Sequence, residues 1–148
     1  MKWIEENVES SQKLGIKSRF EITETSFEAM KQNRNNILES LQKKGAVTLL
    51  DDFGSGYSSL NVLKDIDIDV LKIDMRFLSK GSSEERGEKI LEAVIKMAKS
   101  LDMLVIAEGV EEEKQVKMLK RLGCDYIQGY YFAKPMPKKD YVKLLQKH

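Results

Sequence analysis

Clusters of acidic, amide and lysine side chains recur along this chain, each directly within or after a short apolar run. In order they are Glu21 and Glu24, Asp51 and Asp52, Lys72 and Asp74, Glu108 and Glu111, then Gln128. Carboxylates crowded together repel unless a proton or a cation intervenes. Ligands that are all oxygen, with no His or Cys among them, suit a hard cation such as Mg²⁺ or Mn²⁺ rather than zinc. A carboxylate bridging two such ions about 3.5–4 Å apart is the usual apparatus of phosphodiester hydrolysis. The ions there generate a hydroxide and neutralise charge building on the phosphoryl oxygens.

Taken singly, each cluster has a plainer explanation. Asp52 or Ser55 can cap a helix, Glu111-Glu112-Glu113 suit a first helical turn, and Gln128 can be an ordinary buried amide. Gly54-Ser55-Gly56 can seat a phosphate on backbone N–H groups or merely permit a tight loop. Lys72 in an apolar strand and Glu21 inside Phe-Glu-Ile are harder to dismiss, because burying an unpaired charge is costly. The weight lies in recurrence at the same position of five consecutive units.

The elements that must position these groups are short strands alternating with helices. Strands are expected at Arg19–Ile22, Val47–Leu50, Val70–Ile73, Leu104–Ala107 and Tyr126–Gln128, aliphatic and β-branched as in a buried parallel sheet. Helical spacing links Ile37, Leu38 and Leu41, then Ile90, Leu91, Val94, Ile95, Ala98 and Leu101, then Val116, Leu119 and Leu122. Gly45 and Gly123 follow two of these patterns, where a helix C-cap favours glycine. Strand–helix–strand repetition implies right-handed βαβ units, whose C-terminal strand ends share one edge. Periodicity leaves open whether the sheet is doubly wound or part of a (β/α)8 barrel.

The chain has 148 residues, 41% apolar and 33% charged, with a formal net charge of +1, which suits one soluble globular domain. That balance excludes general electrostatic attraction to DNA or an anionic membrane, so an anionic ligand must be held locally. The single cysteine, Cys124, forms no intramolecular disulfide and fits a reducing compartment. With no run of about 20 apolar residues and no signal-peptide pattern at the start, a cytoplasmic location is expected. His148 reads as a terminal surface group, Glu84 to Lys89 as a solvated loop and helix face, and the methionines as core filler.

The segment Leu50-Asp51-Asp52-Phe53-Gly54-Ser55-Gly56-Tyr57-Ser58-Ser59-Leu60 resembles the loop after the fifth barrel strand of EAL domains, the cyclic-di-GMP phosphodiesterase family. Glu21-Ile22-Thr23-Glu24, Leu71-Lys72-Ile73-Asp74, Ala107-Glu108-Gly109-Val110-Glu111 and Gln128-Gly129-Tyr130-Tyr131-Phe132 resemble its motifs at strands four, six, seven and eight. The resemblance covers essentially the whole chain. It implies a (β/α)8 barrel that linearises cyclic di-GMP to pGpG with two Mg²⁺ or Mn²⁺ ions. Carried over, Glu21 binds the first metal, Asp51 bridges both and Asp52 completes the second. Glu108 acts near the second metal as ligand or base, Lys72 orients the attacking water and contacts the phosphate, and Gln128 supports that environment. Glu24 braces the loop from Phe53 to Ser58, whose turns use Gly54 and Gly56, and Glu111 plays a similar supporting part. Pro135 belongs to the closing Phe132-Ala133-Lys134-Pro135 segment.

One departure is large. The family's eponymous Glu-Ala-Leu after strand two and the metal-binding Asn after strand three have no counterpart. Leu91-Glu92-Ala93-Val94 lies in a helical pattern and is not that motif. Met1 to Gly15 reads as the helix after strand three, with Trp3, Ile4 and Val8 facing inward. Residues 1–148 are therefore expected to supply strands four to eight, about five of eight in a fold of about 200 residues or more. On this reading the chain holds one ion or none, is inactive alone, and forms homo-oligomers through open barrel edges. The alternative is a degenerate, non-catalytic module binding a nucleotide or a protein.

Overall fold

A computed structural model describes residues 2–23, 26, 34–54, 60, 63–64, 67–76 and 84–146, with the side chains of residues 2, 3, 5, 34 and 35 excepted. Glu24, Ser55, Gly56 and His148, and the side chain of Trp3, lie outside that set. The described elements are α1 (Lys2–Lys13), β1 (Arg19–Thr23), α2 (Arg34–Lys43), β2 (Val47–Phe53), β3 (Val70–Asp74), α3 (Glu84–Ser100), β4 (Leu104–Glu108), α4 (Glu113–Leu122), β5 (Tyr126–Ile127) and α5 (Lys138–Leu145). Every strand expected from the sequence is present, and Gln128 falls just past the short β5.

All five strands are parallel, and their spatial order is their chain order, β1-β2-β3-β4-β5. A doubly wound sheet reverses its strand order at a switch point. No reversal occurs here. Successive right-handed crossovers therefore place the helices on one face of the sheet, as in a (β/α)8 barrel. Burial follows from this. Ile22, Leu50, Leu71, Ile73, Val105 and Ala107 point to the helix side, each at most 8% exposed, and share one core with Leu38, Leu91, Ile95, Ala98, Val116 and Leu119. A second cluster of Val8, Leu41 and Ala46, with Ile4, Phe20 and Ile37 against it, seats α1. The opposite face, one residue out of phase along each strand, carries Glu21, Asp51, Lys72 and Glu108.

Helix ends meet strands through one repeated device. After α2, Gly45 N–H donates to the Gln42 carbonyl at 2.7 Å and Ala46 N–H to the Leu41 carbonyl at 3.0 Å. The same pair of bonds recurs at Gly15, Asp102 and Gly123, all with positive φ, as the Schellman motif requires. Asp102 is the non-glycine among them, at φ 58°.

Two carboxylates pin the sheet at its other edge. Asp69, just before β3, accepts from the backbone N–H and hydroxyl of Thr48 in β2, both at 2.7 Å. Gln42 Nε2 adds a bond to Thr48 Oγ1 at 3.0 Å, so the fully buried Thr48 is satisfied. Asp125, just before β5, accepts from Val105 N–H of β4 at 2.7 Å and pairs with Lys99. Burial opposes ionisation of Asp125, but the bonds from Lys99 and Val105 outweigh it and hold the carboxyl below its ordinary range.

Candidate functional site

Glu21, Asp51, Lys72 and Glu108 reach the site from the sheet face opposite the helices, at or near the C-terminal ends of their strands. Lys72, in the middle of β3, sits where an apolar sheet would exclude a charge, and its side chain is only 8% exposed. Its ammonium is met by a carboxylate from each of three other strands. Nζ lies 3.0 Å from Asp51 Oδ1 on β2, 3.1 Å from Glu21 Oε2 on β1 and 3.1 Å from Glu108 Oε1 on β4. Burial alone would push the Lys72 pKa down, but the hydrogen bonds its ammonium donates to Asp51, Glu21 and Glu108 reverse this and raise it. The three carboxylates face outward to different degrees, with Glu21 52% exposed and Asp51 and Glu108 21% and 24%. The hub is thus dry at the nitrogen and open at the oxygens.

A bulge makes room for Asp51 and Asp52. Between the pairs Leu50↔Leu71 and Phe53↔Ile73, β2 advances three residues while β3 advances two, so Asp51 and Asp52 together oppose Lys72. Asp52 takes the extra position at φ 57°, and its N–H donates to Asp51 Oδ1 at 3.0 Å. Strict alternation would have turned Asp52 into the helix-side core. The bulge keeps that carboxylate exposed and returns Phe53 to the core. Asp52 consequently stays out of the contacts around Lys72 and lies near Arg76, whose guanidinium pairs with Asp74.

The ends of β4 and β5 are clipped together by main chain. Gln128 N–H donates to the Ala107 carbonyl at 2.8 Å, Val110 N–H to the Gln128 carbonyl at 3.2 Å, and Tyr131 N–H to the Val110 carbonyl at 3.0 Å. Gly129 packs so closely on Val110 that a Cβ there would stand 2.0 Å from the Val110 oxygen. This fixes Gln128 beside Glu108, with its side chain exposed. Glu111 is also exposed, and its N–H, like that of Glu112, donates to Gln115 Oε1. Glu112 caps α4 through a capping box with Gln115, so the helix-start reading of Glu111-Glu112-Glu113 holds for the last two. Gly54, at φ 92°, turns the chain directly after β2. The sequence marked Lys72 as a site residue, and what it left open is which carboxylates meet its ammonium. The signal was a lysine in an apolar strand, and its partners needed the sheet pairing.

Among the described residues, no three His, Cys, Asp or Glu side chains stand together as a ready metal-binding group, because the carboxylates are arranged around Lys72. Their chemistry nonetheless fits a hard divalent cation. All are carboxylate oxygens, and three already converge on one positive charge. No helix among the described residues is long and apolar enough to cross a membrane.

The family model "EAL domain" matches residues 1–135. The chain is 37% identical over 128 residues to "Probable cyclic di-GMP phosphodiesterase PdeB" of Escherichia coli, covering 86% of this chain and 24% of that protein. Against the solved EAL domain of Mycobacterium smegmatis DcpA it has a TM-score of 0.80 and 33% identity, over 97% of this chain and 66% of that one. A calcium and cyclic-di-GMP complex of Klebsiella pneumoniae BlrP1 matches with a TM-score of 0.72 and 28% identity, over 82% of this chain and 32% of that one. The chain therefore spans well under half the length of the curated relatives it matches.

Proposed function

The chain belongs to the EAL domain family, and from that premise we propose that it supplies the carboxylate and lysine part of a cyclic-di-GMP phosphodiesterase centre. The observation that carries this reading is the gathering of Glu21, Asp51 and Glu108, from three strands, around the buried Lys72. Glu21, Asp51, Asp52 and Glu108 would hold Mg²⁺ or Mn²⁺. Bound there, the ions supply an acidified water and charge neutralisation at the phosphoryl oxygens. Glu108, partly open to solvent at the strand end, takes the proton of the attacking water. Lys72 donates to that water or to a phosphate oxygen, and Gln128, fixed beside Glu108, supports the water. Glu24 and Gly56, outside the described residues, keep a loop-supporting role in this proposal, as does Glu111, and Gly54 turns the chain after β2.

The proposal extends to the chain's setting. The cytoplasm is the place of action, in keeping with the single cysteine, Cys124. The outer edge of β1 and the short β5, with exposed Tyr126, Tyr130 and Phe132 nearby, favour self-association of the 148-residue chain. The coverage of 66% of a solved EAL domain favours weak or no turnover by these residues alone, with nucleotide or protein binding as the second reading.

The test is turnover of cyclic di-GMP with Mn²⁺, followed by chromatography of the linear product, in protein with and without Asp51→Asn. Cleavage abolished by Asp51→Asn is the expected result for a form that turns over. Cleavage that survives Asp51→Asn overturns the assignment of the centre. Tight binding with no cleavage in any form that contains residues 1–148 favours the module.

A further inference from the structure

An ammonium has three N–H donors and no more. Lys72 has three carboxylate contacts of hydrogen-bond length, to Asp51, Glu21 and Glu108, and its side chain is almost wholly enclosed. Every donor is therefore committed. A lysine in that state has nothing left to offer a water or a phosphate oxygen, which is the part it plays in the reaction proposed above. The same oxygens that hold Lys72 are the ones a divalent cation would use, so the two positive charges compete for one set of ligands. The charge balance points the same way. Three carboxylates and one ammonium leave a net charge of −2 if all are ionised, which one divalent ion matches.

We propose that Lys72 is a built-in counter-ion of the carboxylate cluster, exchanged for a divalent cation, so that cation loading is the event that frees a Lys72 N–H for the phosphodiester. This rests on the reading of Glu21, Asp51 and Glu108 as cation ligands. It imposes an order: a cation first, and only then a substrate held by Lys72. It also gives Lys72 a second role, in which it keeps three like charges gathered and lowers the affinity of the site for cations.

The test uses the 148-residue chain and two readouts other than turnover. In ¹H–¹⁵N spectra of the lysine ammonium groups, Lys72, identified by its loss in Lys72→Arg, is expected to give a signal protected from solvent exchange. Mg²⁺ titration is expected to shift and then weaken that signal as a donor is released. Separately, Lys72→Met removes the competing charge and is expected to bind Mn²⁺, measured by the electron paramagnetic resonance of the free ion, about tenfold or more tightly than the natural chain. Mn²⁺ should also raise the Tm of Lys72→Met more than that of the natural chain. A Lys72 signal unmoved at cation saturation overturns the proposal, as does equal or weaker Mn²⁺ binding by Lys72→Met, or no binding by either protein. Should Lys72→Met fail to fold, the Mg²⁺ titration of the natural chain decides alone. Cleavage of cyclic di-GMP with Lys72 unmoved sinks this exchange and leaves the phosphodiesterase reading standing. Release of Lys72 on cation binding upholds the exchange whether or not the 148-residue chain turns over, while cleavage that survives Asp51→Asn sinks the phosphodiesterase centre alone.

Discussion

Replacing Gly129 with alanine tests whether the β4 and β5 ends are held by backbone contact. The added Cβ would lie 2.0 Å from the Val110 carbonyl oxygen, 2.4 Å from its nitrogen and 2.7 Å from its carbonyl carbon. Side-chain carbons essentially never approach such atoms within 3.0 Å, so the segments must part by at least 1.0 Å (3.0 minus 2.0). Two bonds cross this contact, from Tyr131 N–H to the Val110 carbonyl at 3.0 Å and from Val110 N–H to the Gln128 carbonyl at 3.2 Å. Stretched to about 4 Å, they are no longer bonds. Each is worth about 0.5–1.5 kcal/mol net, and an unmet buried N–H at Val110 costs about 1–3 kcal/mol. Fraying of the two-residue edge strand relieves part of this, so the expected loss is about 2–4 kcal/mol. Urea unfolding gives the loss, and hydrogen exchange at the Val110 and Tyr131 amides shows whether it is local. A loss under about 0.5 kcal/mol with both amides still protected refutes the reasoning. Gly123→Ala is the control: nothing lies within 4 Å of its Cβ, and only its φ of +82° costs, at about 1 kcal/mol.

Asp102→Gly is expected to stabilise the chain by about 0.5–1 kcal/mol, because it relieves an L-residue at φ 58° in a helix C-cap, and a rise in Tm checks it. Asp69→Ala strips the partner of both donors of the fully buried Thr48 and is expected to cost about 2–4 kcal/mol in urea unfolding. Asp125 titrates below its ordinary range in the folded chain, so its contribution is present above the unfolded value of about 3.9 and is lost as pH falls through the folded one. The stability deficit of Asp125→Asn, measured by urea unfolding across pH, should therefore be full near neutrality and vanish in strong acid. A deficit that grows with acidity contradicts the role given to the Lys99 pairing.

Much of the fold was legible because its signals are local. The short aliphatic run around Val70-Leu71-Lys72-Ile73, the period of 3.6 in α3 and the glycines closing α2 and α4 depend on near neighbours in the chain. They yield strands, helices and their ends without reference to anything distant. The oxygen-only character of the site was equally legible, since ligand type is a property of residues. So was the shared edge, since parallel βαβ units put their strand ends on one side.

What only the tertiary structure decided concerns register and company. The unreversed strand order, which makes this a barrel segment rather than a doubly wound sheet, is a fact of pairing between strands. The bulge that sends Asp51 to Lys72 and Asp52 outward arises because β2 must match β3 on both sides of it. The seating of Gly129 on Val110 likewise depends on how β5 meets β4. Above all, five sequence-distant clusters became a hub of three carboxylates on one enclosed ammonium, with Asp52 and Gln128 at its margin. A row of strand ends names the candidates. Which of them touch is set by the stagger between neighbouring strands, and stagger is written in no single segment of the chain.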